Sequence, residues 1–178
     1  MTQNKRSFLS RFRRNEDGHA TIEFAIMVPF LFVIMLSAVE LGMLTMRYAF
    51  LERGLDIVVR DIRLSTGAEF EHDEIRDQIC DAAGMIPDCS NNLKLEMITL
   101  DLRDWTGIPT NTVCTNRAEE VQPLTSFQAG GENTLMVLRA CAKIEPLFPT
   151  TGLGATFNVD SAGDYALVAT SAFVQEPR

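Results

Sequence analysis

The sequence predicts an α+β fold in which one long N-terminal helix packs on a small antiparallel sheet. Three observations lead to this expectation. A basic leader precedes a long apolar run, helical spacing of apolar residues continues from Arg47 to Leu64, and three later segments alternate apolar and polar residues. The chain has 178 residues, of which 46% are hydrophobic and 22% charged, which suits one modest domain with an appendage.

The formal net charge of -8 is divided unevenly along the chain. Residues 1–18 carry five basic and two acidic residues, a balance of +3, which leaves -11 for residues 19–178. The acidic total argues against a general nucleic-acid binder, which presents a basic surface. Because Lys and Arg beside a membrane span stay in the cytoplasm, the leader predicts a cytoplasmic N-terminus and a body outside the inner membrane.

The apolar run follows directly after the leader. From His19 to Met46 only Glu23 and Glu40 are formally charged, and sixteen uncharged residues lie between them. About 20 apolar residues cross a bilayer as a helix, so residues 19–46 are expected to be a transmembrane helix. A secretory signal peptide is the nearest alternative, but no small-x-small cleavage site follows the run. A buried core helix of this purity is the other alternative.

Three residues of the run are unusual for a membrane span. Glu23 and Glu40 either lie at the two membrane interfaces or pair with a partner inside the membrane, since an unpaired carboxylate in lipid is costly. For Glu40 both interpretations stay open. Pro29 removes one backbone hydrogen bond, and the kink that this predicts is tolerated in membrane helices.

The helical pattern changes character after the apolar run. Residues 47–66 are expected to continue the helix in amphipathic form, giving one helix from about Ala20 to Leu64. Its apolar residues recur three and four positions apart: Leu51, Leu55, Val58, Val59 and Ile62. This stripe is expected to pack on the following domain, and a coiled-coil contact with another subunit is the alternative.

Residues 67–178 are expected to form the α+β domain outside the membrane. A short helix is predicted at Asp73–Ala83 and strands at Leu93–Leu102, Leu135–Ile144 and Tyr165–Val174. Segments with Gly and Pro connect them, and we interpret Gly152–Gly154 as a turn because no strand–helix context supports a phosphate site.

All four cysteines fall in the part predicted to be exported. An even count in an oxidising compartment favours disulfides, and three pairings are possible. We favour Cys80–Cys89 with Cys114–Cys141, because the first pair closes a short loop around Gly84 and Pro87. A metal site is the weaker alternative, since the chain has no C-x-x-C motif and two histidines. No cofactor and no enzymatic activity are expected, because hydrolase, zinc-peptidase and P-loop motifs are absent.

The junction of leader and apolar run carries a recognisable motif. Gly18 ends the leader, His19 follows, and Glu23-Phe24 opens the apolar helix. This arrangement resembles the cleavage motif of type IV pilin-like proteins in its Flp/Tad version. Further segments are similar to TadE-type minor pseudopilins: Ala38–Gly42, Leu51–Asp61, Ser65–Gly67, the pair Cys80 and Cys89, and the ending Ala172–Pro177. The sister family, TadF, shares the N-terminal motif and is the alternative.

The resemblance implies a pilin-like fold and a function in assembly. A prepilin peptidase would cut after Gly18, and Glu23 would become the fifth residue of the mature chain. In related proteins the corresponding Glu neutralises the terminal amine of a neighbouring subunit, which favours an intramembrane pairing role for Glu23. The implied partners are the peptidase, other Tad pilins and pseudopilins, and the inner-membrane assembly platform. A single-span periplasmic binding or sensor protein that keeps its leader is the alternative from another class.

Overall fold

The computed structural model describes residues 19–65, 70–104, 107–109, 111–119, 125–128 and 130–177. Three helices and three strands make up its regular structure: α1 His19–Leu64, α2 His72–Ala83, α3 Cys89–Asn92, β1 Lys94–Leu100, β2 Leu135–Ile144 and β3 Tyr165–Val174. One turn of 3₁₀ helix covers Gly154–Thr156. The long helix and the small antiparallel sheet confirm the predicted α+β class. The leader, residues 1–18, lies outside the described residues.

Helix α1 is 46 residues long, about 69 Å at 1.5 Å per residue, and its two halves have different surroundings. The second half is amphipathic, and the predicted apolar stripe is buried: Leu51, Leu55, Val58, Val59 and Ile62. The stripe packs on the domain of the same chain, as expected, so this half of α1 is a core element of the fold.

Helix α2 lies close against α1. Its buried residues Ile75, Ile79 and Ala83 form one face, and a Cβ added at Gly54 of α1 would stand 2.9 Å from the Ile79 carbonyl oxygen. Glycine at position 54 therefore permits the close approach of the two helices. Helix α2 ends at Gly84, whose left-handed conformation lets its N–H donate to the Cys80 carbonyl at 3.1 Å.

The sheet has the order β1-β2-β3 with both pairs antiparallel. Strands β2 and β3 have the predicted bounds, but β1 is shorter than the predicted Leu93–Leu102. At its start, Leu93 caps α3 by donating its N–H to the Cys89 carbonyl at 2.7 Å. At its end the chain bends, and the Arg103 N–H bonds the Asp101 carboxylate at 2.8 Å. Capping and turn bonds thus replace ladder bonds at both ends.

The pairing register gives the domain two distinct ends. We call the end nearer the apolar half of α1 the proximal end, and there Ile144 of β2 pairs with Tyr165 of β3. At the distal end, Leu135 of β2 pairs with Leu100, and the Gln175 side chain donates to the Ile62 carbonyl near the end of α1 at 3.0 Å. The proximal end therefore faces the apolar half of α1, and the distal end lies beside the last turns of the helix.

Candidate functional site

The first half of α1 is the most exposed apolar surface of the described residues. Within those residues, α1 is the one helix that is long and apolar enough to cross a membrane. Large side chains are exposed on all its sides, including Phe24 at 70%, Phe30 at 65% and Ile34 at 70%. These side chains have few protein neighbours on any side of the helix. Such a helix is suited to contact with lipid or with the helices of other proteins.

The motif residues lie at the start of this exposed helix. Glu23 and Phe24 occupy its first two turns and are both exposed, so another molecule can reach them. His19 is the first residue of α1, whereas Gly18 lies outside the described residues. The helix continues on both sides of Pro29, which lies within its exposed apolar part.

Glu40 has a different environment from Glu23. Its side chain is 1% exposed and accepts two backbone hydrogen bonds from the loop that follows β2. The Leu147 N–H donates to Oε1 at 3.1 Å and the Phe148 N–H donates to Oε2 at 2.9 Å. Both carboxylate oxygens are thus bonded within the same chain. These partners are 107 and 108 residues away, so local sequence gave no signal for them.

A second contact fixes the same loop one turn earlier on α1. The Ser37 hydroxyl donates to the Val33 carbonyl at 2.8 Å and accepts the Leu153 N–H at 3.1 Å. Gly152 packs against Ser37 with a φ of +58°, where an added Cβ would collide with the hydroxyl. The predicted turn at Gly152–Gly154 therefore lies directly on the apolar helix, where its glycines permit close contact.

The comparison with protein families matches the N-terminal part of the chain. Residues 18–60 match the model of the family described as TadE-like protein. This segment is similar to the TadE-like family, and we call it the TadE-like segment. The match supports a TadE-like protein of the Tad pilus system, and it begins at Gly18, the residue that ends the leader. No match was found among curated proteins or among solved structures.

The TadE-like segment also places a buried cation at the proximal end. Arg47, two turns after Glu40, is 9% exposed, and its Nε makes no hydrogen bond to the described residues. It lines a cavity of about 390 Å³ together with Lys143, Glu145 and Leu147. Lys143 in turn pairs with Asp160 at 3.0 Å, so the two cations that line this cavity have different environments.

Tyr165 packs beside Arg47. Its ring stacks at a tilt on Phe157, with centroids 4.8 Å apart, and its hydroxyl is buried without a partner among the described residues. Burial raises the pKa of Tyr165, and the positive charge of Arg47 opposes that rise. The neutral phenol is therefore the favoured form at the proximal end.

Two disulfides hold the domain that follows the TadE-like segment. Cys80 of α2 is bonded to Cys89 of α3, with Cα atoms 5.6 Å apart. Cys114 is bonded to Cys141 of β2, with Cα atoms 5.3 Å apart. This is the pairing that the cysteine spacing favours. The first bond ties the two short helices together, and the second fixes segment 111–119 to the central strand.

Proposed function

We propose that this protein is a minor pseudopilin that acts in the assembly of a Tad (Flp) pilus. In this proposal a prepilin peptidase cuts the chain after Gly18, and residues 19–46 anchor the mature protein in the inner membrane. Residues 67–178 then lie in the periplasm, joined to the anchor by residues 47–66 of α1. The match of residues 18–60 to the TadE-like family carries the proposal.

The geometry of the helix start supports the proposed processing. Cleavage hydrolyses the Gly18–His19 peptide bond, which removes all five basic leader residues and creates an ammonium group on His19. Glu23 comes four residues later, so it lies on the same side of the helix, one turn beyond the new terminus. The exposed positions of Glu23 and Phe24 leave both side chains accessible to a membrane peptidase and afterwards to another subunit.

The cost of a charge in lipid gives Glu23 its role in assembly. A carboxylate in the hydrocarbon core is unfavourable, by about 2.5–3.5 kcal/mol at the centre and less towards the edge, and pairing with a cation offsets this cost. We propose that the cation is the His19 ammonium of a neighbouring subunit, so that Glu23 sets the axial register on insertion. Glu40 is not available in the same way, because its two oxygens accept the Leu147 and Phe148 N–H groups.

The test replaces Glu23 in a strain that makes the pilus. Glu23→Ala removes the pairing carboxylate from a helix that stays apolar, so the protein should still enter the membrane fraction while surface pili are lost. Glu71→Ala is the matched control, because Glu71 is an exposed carboxylate whose side chain does not cap α2. Normal piliation with Glu23→Ala would contradict the proposed role and would favour a periplasmic binding or sensor protein.

A further inference from the structure

The loop between β2 and β3 contains a stretch without charge. Pro146–Val159 holds fourteen residues, none of them Asp, Glu, Lys, Arg or His, and it is bracketed by Glu145 and Asp160. Leu147 and Val159 are 41% and 44% exposed near its two ends. A surface loop outside a membrane usually carries charged side chains, so an uncharged loop of this length with exposed apolar residues needs an explanation.

This loop is held against the most apolar part of the chain. Its N–H groups bond Glu40 and Ser37, and Gly152 lies close to the Val33 carbonyl. The contacts therefore span Val33 to Glu40, which belongs to the segment with exposed apolar side chains on its other sides. The loop and the apolar half of α1 thus lie side by side, and neither carries a charged side chain at this contact except the bonded Glu40.

Helix geometry places this contact relative to a bilayer. Counted from His19 at 1.5 Å per residue, Val33 lies about 21 Å and Glu40 about 32 Å along the helix axis. The hydrocarbon core is about 30 Å thick. If α1 spans the membrane from His19, the loop is level with the outer leaflet and its boundary with the headgroups.

The backbone of the loop is suited to that position. Unbonded N–H groups are costly in lipid, and the loop has two prolines, Pro146 and Pro149, which have none. Six further N–H groups have partners within the loop or on α1: Leu147, Phe148, Thr151, Leu153, Thr156 and Phe157. Six of the twelve backbone N–H groups of the loop are thus bonded, and the two prolines present none.

We propose that Pro146–Val159 is a lipid-facing loop that enters the outer leaflet of the inner membrane beside α1. The domain then sits in the membrane surface, with its proximal end buried at the headgroups and its distal end in the periplasm. Amphipathic elements of peripheral proteins enter this boundary to a depth of about 5–10 Å. The inference rests on the proposed membrane anchoring of α1.

Tryptophan quenching by brominated lipids tests the position of the loop. The single native tryptophan, Trp105, is first replaced by Phe, and Leu147→Trp is introduced in the full chain reconstituted in phosphatidylcholine vesicles. Bromine on the acyl chains near the headgroup should reduce its emission about twofold, because the ring reaches the hydrocarbon boundary. Val159→Trp is a second probe, at the other end of the loop, if the first variant fails to fold.

Two matched variants make the result decisive. Leu102→Trp places the probe at the distal end on a side chain that is 68% exposed, and its emission should not change with bromination. Phe30→Trp places it on the apolar half of α1, where bromine near the chain ends should quench it. Quenching at position 30 but not at 147 or 159 would overturn the loop inference and leave the anchor intact, whereas no quenching at position 30 would overturn the anchor itself. Loop probes shielded from both bromolipid and aqueous iodide would show that a second protein chain covers the loop, which also overturns the inference.

Discussion

Glu40 shows how one side chain joins two parts of the chain that are distant in sequence. Its carboxylate ends the sixteen-residue uncharged run, and its two oxygens accept N–H groups from the loop after β2. The two hydrogen bonds fix the position of the domain along the axis of α1. Glu40 thus has a docking role within the subunit, in contrast to the exposed Glu23.

Replacing Glu40 should weaken the domain more than its position on a membrane helix suggests. Glu40→Ala leaves the Leu147 and Phe148 N–H groups without acceptors, at about 1–3 kcal/mol each, so the free energy of unfolding in detergent should fall by about 2–6 kcal/mol. Thermal unfolding followed by near-ultraviolet circular dichroism measures the change. Asp56→Ala, an exposed carboxylate on the same helix, is the control and should be nearly neutral. Equal stability of the two variants would mean that the docking bonds contribute little.

Tyr165 gives a prediction of pH dependence. Burial raises the pKa of its phenol in the folded state, so its contribution to stability is present below about pH 10 and is lost as the pH rises through the folded pKa. Tyr165→Phe should abolish that alkaline loss and keep or slightly raise stability at neutral pH, because the hydroxyl is buried without a partner among the described residues. Urea unfolding at neutral and alkaline pH compares the two proteins. An unchanged alkaline loss in the variant would assign it to another group.

At the scale of elements, the second half of α1 is the main core element against which the sheet and α2 pack. Leu55 is 1% exposed in this core, whereas Ile57, two residues on, is 44% exposed. Leu55→Ala should therefore cost about 2–5 kcal/mol of unfolding free energy, and Ile57→Ala should cost far less. Denaturant unfolding measures both. Similar costs at the two positions would contradict the packing of α1 on its own domain.

The two disulfides should differ in their contribution. The Cys114–Cys141 bond closes a loop with a sequence separation of 27, against 9 for Cys80–Cys89. The entropy of loop closure grows with the logarithm of loop length. Replacing Cys114 and Cys141 by alanines should therefore lower the free energy of unfolding by about 1 kcal/mol more than replacing Cys80 and Cys89. Unfolding of the two double variants under the same conditions decides it, and the reverse order would show that local packing outweighs loop entropy.

The elements also show which parts of the fold local sequence can predict. Strands β2 and β3 have the predicted bounds for different reasons. Strand β3 alternates buried and more exposed residues along most of its length, whereas β2 is an almost continuous apolar run that is buried on both faces. Helix α3 was not predicted, since four residues are too few for any periodicity. The docking of the loop on Ser37 and Glu40 was also missed, because it joins residues more than 100 positions apart, and only the three-dimensional fold brings them together.

For the whole molecule, charge and burial change in a regular order from the N-terminus onwards. Residues 1–18 carry +3 and residues 19–178 carry -11. The second part begins with a helix whose apolar first half is exposed and whose second half belongs to the core of a disulfide-bonded domain. The family match covers residues 18–60, so it spans the proposed cleavage position, the exposed helix and the first part of the core. Removal of residues 1–18 is therefore the step on which the proposed function most depends.

The mass of the mature protein tests this claim most directly. Intact-mass analysis of the protein extracted from membranes should show a chain that lacks residues 1–18 and begins at His19. Gly18→Leu should keep the leader, because the added bulk lies at the proposed cleavage position, while Gly42→Leu is the matched control, since a Cβ at Gly42 meets no atom within 4 Å. A wild-type chain that retains residues 1–18 in cells with an active prepilin peptidase would contradict the account.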